Sequence, residues 1–297
     1  MSTPTTDGAE ASEGGATADR SRNSYLGEVW VNFKRWNLKA VRNPFVLIVS
    51  LVQPVIFLVL FTQVFGNVAG GAIGGPGGGG PSYETYLVPA IAVQVAIAAA
   101  ATSGVGLVND IENGMFEKVL VSPMSRSAVF LGKTAAELLR IATQIGIILG
   151  LGVLLGAEVG TGIVGAVGIV AVGVVFSLWF VGFSNALAVL TKDQESTIIG
   201  ANLLQFPLLF LSSAFLPLEV LPEWIQTVAA VNPVTYGVDA ARSLMLNADA
   251  ASVFSASGFG TVGNAVVPAM AVLLVLALVF GGVAVAMIRR ASSSKVQ

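Results

Sequence analysis

Asn109–Arg126, NDIENGMFEKVLVSPMSR, is the longest charged interruption between the hydrophobic runs of this sequence. Ile111, Met115 and Val119 recur every fourth residue, which predicts a helix with one apolar stripe and its charged residues elsewhere. Pro123 ends that helix, because proline cannot continue it. The pattern therefore predicts a short amphipathic helix between two membrane spans. It fits a surface helix at the lipid headgroups, and it fits a lever that a soluble partner holds.

The composition is that of a membrane protein. Hydrophobic residues make up 55% of the chain, charged residues only 11%, and the mean hydropathy is +0.82. A soluble domain is about one quarter charged. The chain has no Cys and no His, which excludes disulfides, thiolate metal sites and His-based catalysis. No cluster of carboxylates indicates a metal site, and no basic patch indicates a nucleic-acid partner.

The N-terminal region divides into two parts. Residues 1–24 are rich in Ser, Thr, Gly, Ala and acids, which predicts a disordered tail on the cytoplasmic side. From residue 25 to 43, apolar and aromatic residues follow helical spacing, with basic residues on the opposite face. This predicts an amphipathic interfacial helix, which acts as a membrane anchor, as a second docking surface, or as both. Its apolar face consists of Leu26, Val29, Trp30, Phe33, Trp36 and Val41.

Six hydrophobic runs follow, and crossing a roughly 30 Å hydrocarbon layer takes about 20 helical residues. The third run opens with Lys133, Glu137 and Arg140 on one helix face, which we expect to pair with one another at the membrane edge. We predict an all-α polytopic membrane protein with a six-span transmembrane domain over residues 44–290. The runs are Phe45–Phe65, Leu87–Val108, Phe130–Ala157, Ile163–Leu190, Thr197–Pro217 and Ala265–Ile288.

The basic residues predict the orientation of the spans. Of the 15 Lys and Arg residues, all except Arg242 fall on one side of the six runs. Cytoplasmic segments are enriched in Lys and Arg, and the number of spans is even. Both termini, including a tail over residues 291–297, are therefore expected in the cytoplasm, with the chain in the cell membrane.

Leu211–Arg242, LSSAFLPLEVLPEWIQTVAAVNPVTYGVDAAR, is the second informative stretch. Its prolines divide it into two short helices, with Trp224 and Tyr236 as anchors at the interface. We expect an outer re-entrant helical hairpin after span five. Non-helical backbone at membrane depth is tolerated only where it is buried in protein or lines a cavity, so the hairpin indicates a gate or a pore wall.

Both stretches resemble the ABC type-2 transporter permeases, over roughly residues 25–290. The first, with Glu, Gly two residues later, Glu-Lys and then Leu-Val-Ser-Pro-Met-Ser-Arg, is similar to the cytoplasmic loop of that family. The second, with Pro-Leu-x-x-Leu-Pro-x-Trp followed by Asn-Pro-x-Thr-Tyr and a later Arg, is similar to its outer signature. The resemblance implies a cytoplasmic coupling helix docked on a separate ABC ATPase subunit. It also implies a second permease copy, identical or not, surrounded by membrane lipid.

The resemblance assigns roles to residues of both stretches and of the spans between them. Contact with the ATPase is implied for Glu112, Gly114, Glu117, Lys118, Pro123 and Arg126. An outer gate is implied for Pro217, Pro222, Trp224, Asn232, Pro233 and Tyr236. The second and fifth spans line the route in this family. For any single polar residue there a bond to a neighbouring helix is the better explanation, whereas the residues as a set favour a lined path. The substrate-path candidates are Gln94, Thr102, Ser103, Asn202, Gln205, Ser212 and Ser213.

The implied function is ATP-driven export of a hydrophobic, lipid-like, drug-like or lipid-linked glycan substrate. The chain itself is not expected to bind a cofactor, because the match of Gly132-Lys133-Thr134 to a phosphate-binding loop lacks the glycine required at Ser127. ATP and Mg²⁺ are therefore expected on the partner ATPase. The alternatives are an ion-gradient-driven secondary transporter, which usually needs an ionisable residue at mid-depth, and a non-transporting membrane scaffold, which needs neither gate nor docking loop.

Overall fold

The computed structural model describes residues 25–42, 44–73, 80–114 and 125–293. This part of the chain forms nine α-helices, one 3-10 turn at Leu218–Val220 and no β-strand, which confirms the all-α prediction for it. The helices are α1 (Tyr25–Arg42), α2 (Pro44–Ile73), α3 (Tyr83–Glu112), α4 (Arg126–Leu154), α5 (Gly162–Thr191), α6 (Gln194–Phe210), α7 (Glu223–Ala229), α8 (Pro233–Leu246) and α9 (Gly260–Ser293).

Five of these helices are long and apolar enough to cross a membrane, which confirms a multi-pass membrane protein. The candidate spans lie in α2, α3, α4, α5 and α9. α6 is different, because its 17 residues extend only about 26 Å at 1.5 Å per residue. A hydrocarbon layer is roughly 30 Å thick. The helix lengths of the described residues therefore support five spans, and the predicted count of six is not confirmed.

α6 ends at Phe210, so the helix itself does not continue to Pro217, where the fifth span was predicted to end. The helix stops because other groups take the carbonyl oxygens of its last turn. Asn232 Nδ2 donates to the carbonyl oxygens of Leu208 and Leu211, at 2.6 and 2.7 Å. The last carbonyls of a helix need partners from outside it, and here a side chain about twenty residues later supplies them.

α3 lies at the centre of the bundle and packs against α2, α4, α5, α6 and α8. Most of its residues are buried, and many of them are small. A Cβ atom added at Gly104 would lie 2.3 Å from the carbonyl oxygen of Ser184 on α5. Small residues of this kind let membrane helices approach closely. α5 in turn packs along α9.

The bundle has two ends of different chemistry. The end of α3, the start of α4 and the α5–α6 connection form what we call the charged end, which contains Asp110, Lys133 and Asp193. The start of α3, the α4–α5 turn, α7 and α8 form what we call the hairpin end. α3, α4, α5 and α6 run between the two ends, so each end is built from several separate parts of the chain.

α1 packs along α4 near the charged end. A Cβ atom added at Gly132 of α4 would lie 2.6 Å from Cβ of Asn32, which shows how closely the two helices approach. Asn32 is buried, whereas Leu26, Trp30 and Val41 are exposed. The helix predicted over residues 25–43 is thus present over 25–42, and its position at the membrane interface stays a prediction.

Candidate functional site

A buried ion pair ties α4 to the end of α3. Lys133 Nζ lies 3.0 Å from Asp110 Oδ2, and the two side chains are only 8% and 16% exposed. The same ammonium group lies 5.3 Å from the ring centroid of Trp36 on α1. A charge removed from water needs a partner of opposite sign. This contact therefore joins α1, α3 and α4 at one point of the charged end.

The residue that precedes α4 is held by α1. Glu28 Oε2 accepts hydrogen bonds from the backbone N–H of Ser125 at 2.9 Å and from its hydroxyl at 2.8 Å. A carboxylate that accepts two such bonds makes a strong contact. α1 is therefore attached to the chain within the stretch predicted to dock on an ATPase, one residue before Arg126.

The predicted coupling helix begins differently from the expectation. α3 continues to Glu112, and Gly114 has a φ of +64°, a conformation that favours glycine. Ile111 thus belongs to α3. Because α3 ends at Glu112, the prediction that Ile111 shares one apolar stripe of a single helix with Met115 and Val119 is wrong. Residues 115–124, which include Glu117, Lys118 and Pro123, lie outside the described residues, as does the Arg126 side chain.

Glu112 is bonded to the start of α6. Gln194 Nε2 donates a 2.6 Å hydrogen bond to Glu112 Oε2. Asp193, the residue before α6, caps that helix by accepting the backbone N–H of Ser196 at 2.7 Å. Hydrogen bonds from the backbone and the side chain of Ser196 hold the pKa of Asp193 below its usual value. The end of α3 and the start of α6 are thus joined at the charged end.

Glu137 and Arg140 of α4 each form hydrogen bonds with α3. Glu137 Oε2 accepts a 2.6 Å hydrogen bond from Ser103, and Arg140 Nη2 donates to the carbonyl oxygen of Ala99 and the hydroxyl of Thr102. The predicted mutual pairing with Lys133 is therefore wrong, because α3 presents a polar partner to each of them. Two of the predicted path residues, Thr102 and Ser103, are engaged in this contact.

The remaining path candidates are distributed along the bundle. Gln94, Gln205, Ser212 and Ser213 are buried, and Asn202 is half-buried. Gln94 Oε1 has no hydrogen-bond partner among the described residues. Most of these side chains are enclosed by neighbouring helices, and their place on a substrate path stays a prediction. Ser212 is the candidate that lines a cavity described below.

The predicted gate residues lie together at the hairpin end. Asn232 caps α8 through Val234 N–H, with Pro233 at the first helical position. Tyr236 donates its hydroxyl to the carbonyl oxygen of Ala230, which closes the turn between α7 and α8. Pro217 and Pro222 flank the 3-10 turn, and Trp224 is exposed. The two predicted short helices are present, whereas their re-entry into a membrane stays a prediction.

A buried pair of charges on α8 was not among the predicted site residues. Asp239 and Arg242 are one turn apart, with side chains only 6% and 4% exposed and 4.0 Å between Oδ1 and Nη1. The Arg242 guanidinium lies 3.6 Å from the ring centroid of Tyr86 on α3. Two opposite charges at i and i+3 in an otherwise uncharged helix are the signal that could have identified them.

An aromatic cavity of about 170 Å³ lies beside this pair, between α2 and the segment after α6. The rings of Phe61 and Phe215 stack with centroids 4.7 Å apart, and Phe210 lies 5.5 Å from Phe215. Such offset contacts are favourable for aromatic rings. The lining also contains two hydroxyl groups, from Tyr83 and Ser212. The cavity is therefore apolar, with a small polar part.

Comparisons with known proteins agree with this architecture. Residues 27–246 match the family model described as ABC-2 type transporter. The daunorubicin resistance ABC transporter permease protein DrrB1 of Streptomyces coeruleorubidus is 28% identical over 233 residues, which cover 77% of this chain and 76% of the relative. The probable multidrug ABC transporter permease YbhR of Escherichia coli K12 is 26% identical over 209 residues, 70% of this chain and 53% of the relative.

A third relative, the probable doxorubicin resistance ABC transporter permease protein DrrC of Mycobacterium tuberculosis H37Rv, is 26% identical over 160 residues, 54% of this chain and 58% of the relative. Multiple apolar spans and a permease-type sequence define a membrane transport subunit. The chain belongs to the ABC-2 type transporter family. ATP hydrolysis in this family takes place on a separate subunit, so the chain is a permease and not an enzyme.

Proposed function

We propose that this chain is the membrane-spanning subunit of an exporter that moves a hydrophobic substrate outward across the cell membrane. The family match and the drug-resistance permeases among its relatives support this function. The apolar, aromatic lining of the cavity at the hairpin end favours a cargo that is drug-like or lipid-like over a strongly polar one. A lipid-linked glycan fits the same description through its lipid.

One observation carries the mechanism: α6 connects the two ends of the bundle. Its first residue, Gln194, is bonded to Glu112 at the charged end, and the carbonyls of its last turn are held by Asn232 at the hairpin end. A displacement at residues 113–124 is therefore passed to α6 and then to the predicted gate. In alternating access driven by a separate ATPase, ATP binding supplies that displacement.

The proposal places the charged end in the cytoplasm, together with both termini. Glu112, Gly114, Glu117, Lys118, Pro123 and Arg126 then contact the ATPase, which carries ATP and Mg²⁺. α6 together with residues 211–217 serves as the fifth of six spans, since the helix alone is too short. The proposed domain limits stay at 25–43 for the interfacial helix and 44–290 for the transmembrane domain.

The exposed apolar faces of α2 and α6 support a second permease copy and membrane lipid as the neighbours of this chain. Burying such faces against protein or lipid removes them from water. The most exposed large side chains of these helices are Phe45, Ile48, Ile56 and Val64 on α2, and Ile199, Leu203 and Phe210 on α6.

Transport into inside-out vesicles tests the proposed function. Vesicles that contain the chain and its ATPase should accumulate a fluorescent hydrophobic drug only when ATP is supplied, and vesicles that lack either subunit should not. Accumulation by the chain alone, driven by a proton or sodium gradient, would identify a secondary transporter instead. An absence of transport with both subunits, despite a stable complex, would favour a scaffold.

A further inference from the structure

Asp239 and Arg242 are the feature of the hairpin end that the proposed function leaves unexplained. Both charged side chains are almost fully buried in α8. Taking charges out of water is costly, and a buried ion pair often stabilises a protein less than apolar residues of the same size. Buried charges inside a membrane protein therefore indicate a functional role. Their bonding partners show what that role is.

Arg242 holds the chain directly after α6. Its Nη2 atom donates to the carbonyl oxygens of Ser213 at 3.0 Å and Ala214 at 3.1 Å, while Nε donates to the carbonyl oxygen of Tyr86 at 3.4 Å. The planar guanidinium also lies against the Tyr86 ring. Arginine is suited to this contact, because it presents several donors in a fixed plane and keeps its charge.

Asp239 holds the same segment and a second one. Its Oδ1 atom accepts the hydroxyl of Ser213 at 2.9 Å. Its Oδ2 atom accepts the backbone N–H and the hydroxyl of Ser252, at 2.7 and 2.6 Å. The two charges thus attach α8 to the start of α3, to residues 213–214 and to the connection that leads to α9.

The segment that this pair holds is also a wall of the aromatic cavity. Ser213 and Ala214 contact Arg242, whereas their neighbours Ser212, Phe215 and Leu216 line the cavity. Residues 211–216 are not helical, so they can move without unwinding a helix. Side chains on α8 therefore fix the position of the cavity wall.

We propose that Arg242 and Asp239 form a latch. The latch holds residues 211–216 in place, so that this segment closes one side of the aromatic cavity. Displacement of α6 breaks the bonds to Ser213 and Ala214, and the wall then moves away from α8. Arg242 and Asp239 are positioning residues, since they act through the segment and not on the cargo. The existence of the latch does not depend on the proposed export function, but its purpose in transport rests on that function.

Cysteine labelling measures the latch directly, because the chain contains no Cys of its own. Ala214 is fully buried and its carbonyl is bonded to Arg242, so Ala214→Cys reports movement of the segment. In liposomes, Arg242→Met should raise the rate at which a water-soluble maleimide labels this cysteine by about tenfold or more, because hydrogen bonds from charged donors are strong. Arg242→Lys, which keeps the charge, should raise it less.

The matched control is Ala157→Cys, a buried position in the α4–α5 turn at the same end. Its labelling should be unchanged by Arg242→Met. An unchanged rate at Ala214, or an equal rise at both positions, would overturn the latch. If Arg242→Met does not fold, Ser213→Ala is used in its place, because it removes the hydroxyl that donates to Asp239. The labelling rates of Ala214→Cys and Ala157→Cys are then compared in the same way. The assay needs neither ATPase nor cargo, so its failure is distinct from a failure of the proposed function.

Discussion

Glu112 Oε2 accepts a 2.6 Å hydrogen bond from Gln194 Nε2, so the last residue of α3 is bonded to the first residue of α6. The two residues are 82 positions apart in the sequence. This contact connects the end of α3, which precedes the proposed docking segment, to α6, the short helix that leads to the hairpin end. In the proposed mechanism, this hydrogen bond passes a displacement of the charged end to α6.

Removing this bond should weaken the coupling between ATP use and transport. We expect Gln194→Ala to lower the amount of drug moved per ATP by about two- to fivefold, because one hydrogen bond contributes about 1 kcal/mol. ATP hydrolysis itself should stay near the wild-type rate. Gln63→Ala, at an exposed position of α2, is the control and should leave the ratio unchanged. Equal ratios in wild type and Gln194→Ala would show that the bond carries no coupling.

The side chain of Asn232 should stabilise the protein by holding the C-terminal end of α6. Asn232→Ala removes the cap of α8, which costs about 1 kcal/mol, and leaves two carbonyls without their donor, which costs about 1–3 kcal/mol for each that remains buried. Asn232→Ser keeps a neutral cap acceptor but loses the amide that donates to both carbonyls, so it should fall between wild type and Asn232→Ala. The unfolding midpoint in detergent measures this order. A midpoint of Asn232→Ala equal to wild type would contradict it.

The buried pair of Lys133 and Asp110 should show strong non-additivity. Lys133→Met leaves the Asp110 carboxylate without its partner and should destabilise the protein by about 3 kcal/mol, as breaking a buried pair usually does. Lys133→Met combined with Asp110→Leu should recover most of that loss. A double-mutant cycle of unfolding free energies measures the interaction. If the two single changes simply add, the pair is not coupled.

Two glycines of α3 should respond differently to the same change. At Gly104 an added Cβ would lie 2.3 Å from the backbone of Ser184, whereas at Gly106 it would make an ordinary 3.5 Å contact with Lys133 Nζ. We expect Gly104→Ala to cost about 1–3 kcal/mol, as overpacking does, and Gly106→Ala to be neutral or stabilising. The two variants are compared by thermal unfolding. A tolerated Gly104→Ala would mean that α3 and α5 separate easily.

Much of the helical framework was predictable, because long apolar runs in a bilayer have few alternatives to helix. The division between the two short helices at Asn232-Pro233 was predictable from its proline. α8 begins directly at Pro233, because Asn232 is a capping residue and proline suits the first helical position. The amphipathic helix from Tyr25 was predictable from its periodicity. In each of these elements the decisive residues are close together in the sequence.

The features that sequence reasoning missed depend on distant contacts. Leu211–Leu216 continues the apolar run of α6, so hydropathy alone extends the helix to Pro217. The helix ends at Phe210 because Asn232 takes carbonyl oxygens of its last turn, and Arg242 holds the chain beyond it. Lys133, Glu137 and Arg140 were expected to pair with one another along α4, because no sequence pattern shows that α3 presents Asp110, Ser103 and Thr102 to them.

ATP hydrolysis in reconstituted liposomes tests the central claim most directly. The chain alone should hydrolyse no ATP, and the chain with its ATPase should stimulate hydrolysis in the presence of a hydrophobic drug. Glu117→Arg in the proposed docking segment should weaken this stimulation severalfold, because it reverses a charge at the proposed ATPase contact. Glu223→Arg, at an exposed carboxylate of the hairpin end, should not. Stimulation that survives Glu117→Arg but is lost in Glu223→Arg would contradict the proposed orientation, and no stimulation in any form would contradict the coupled permease.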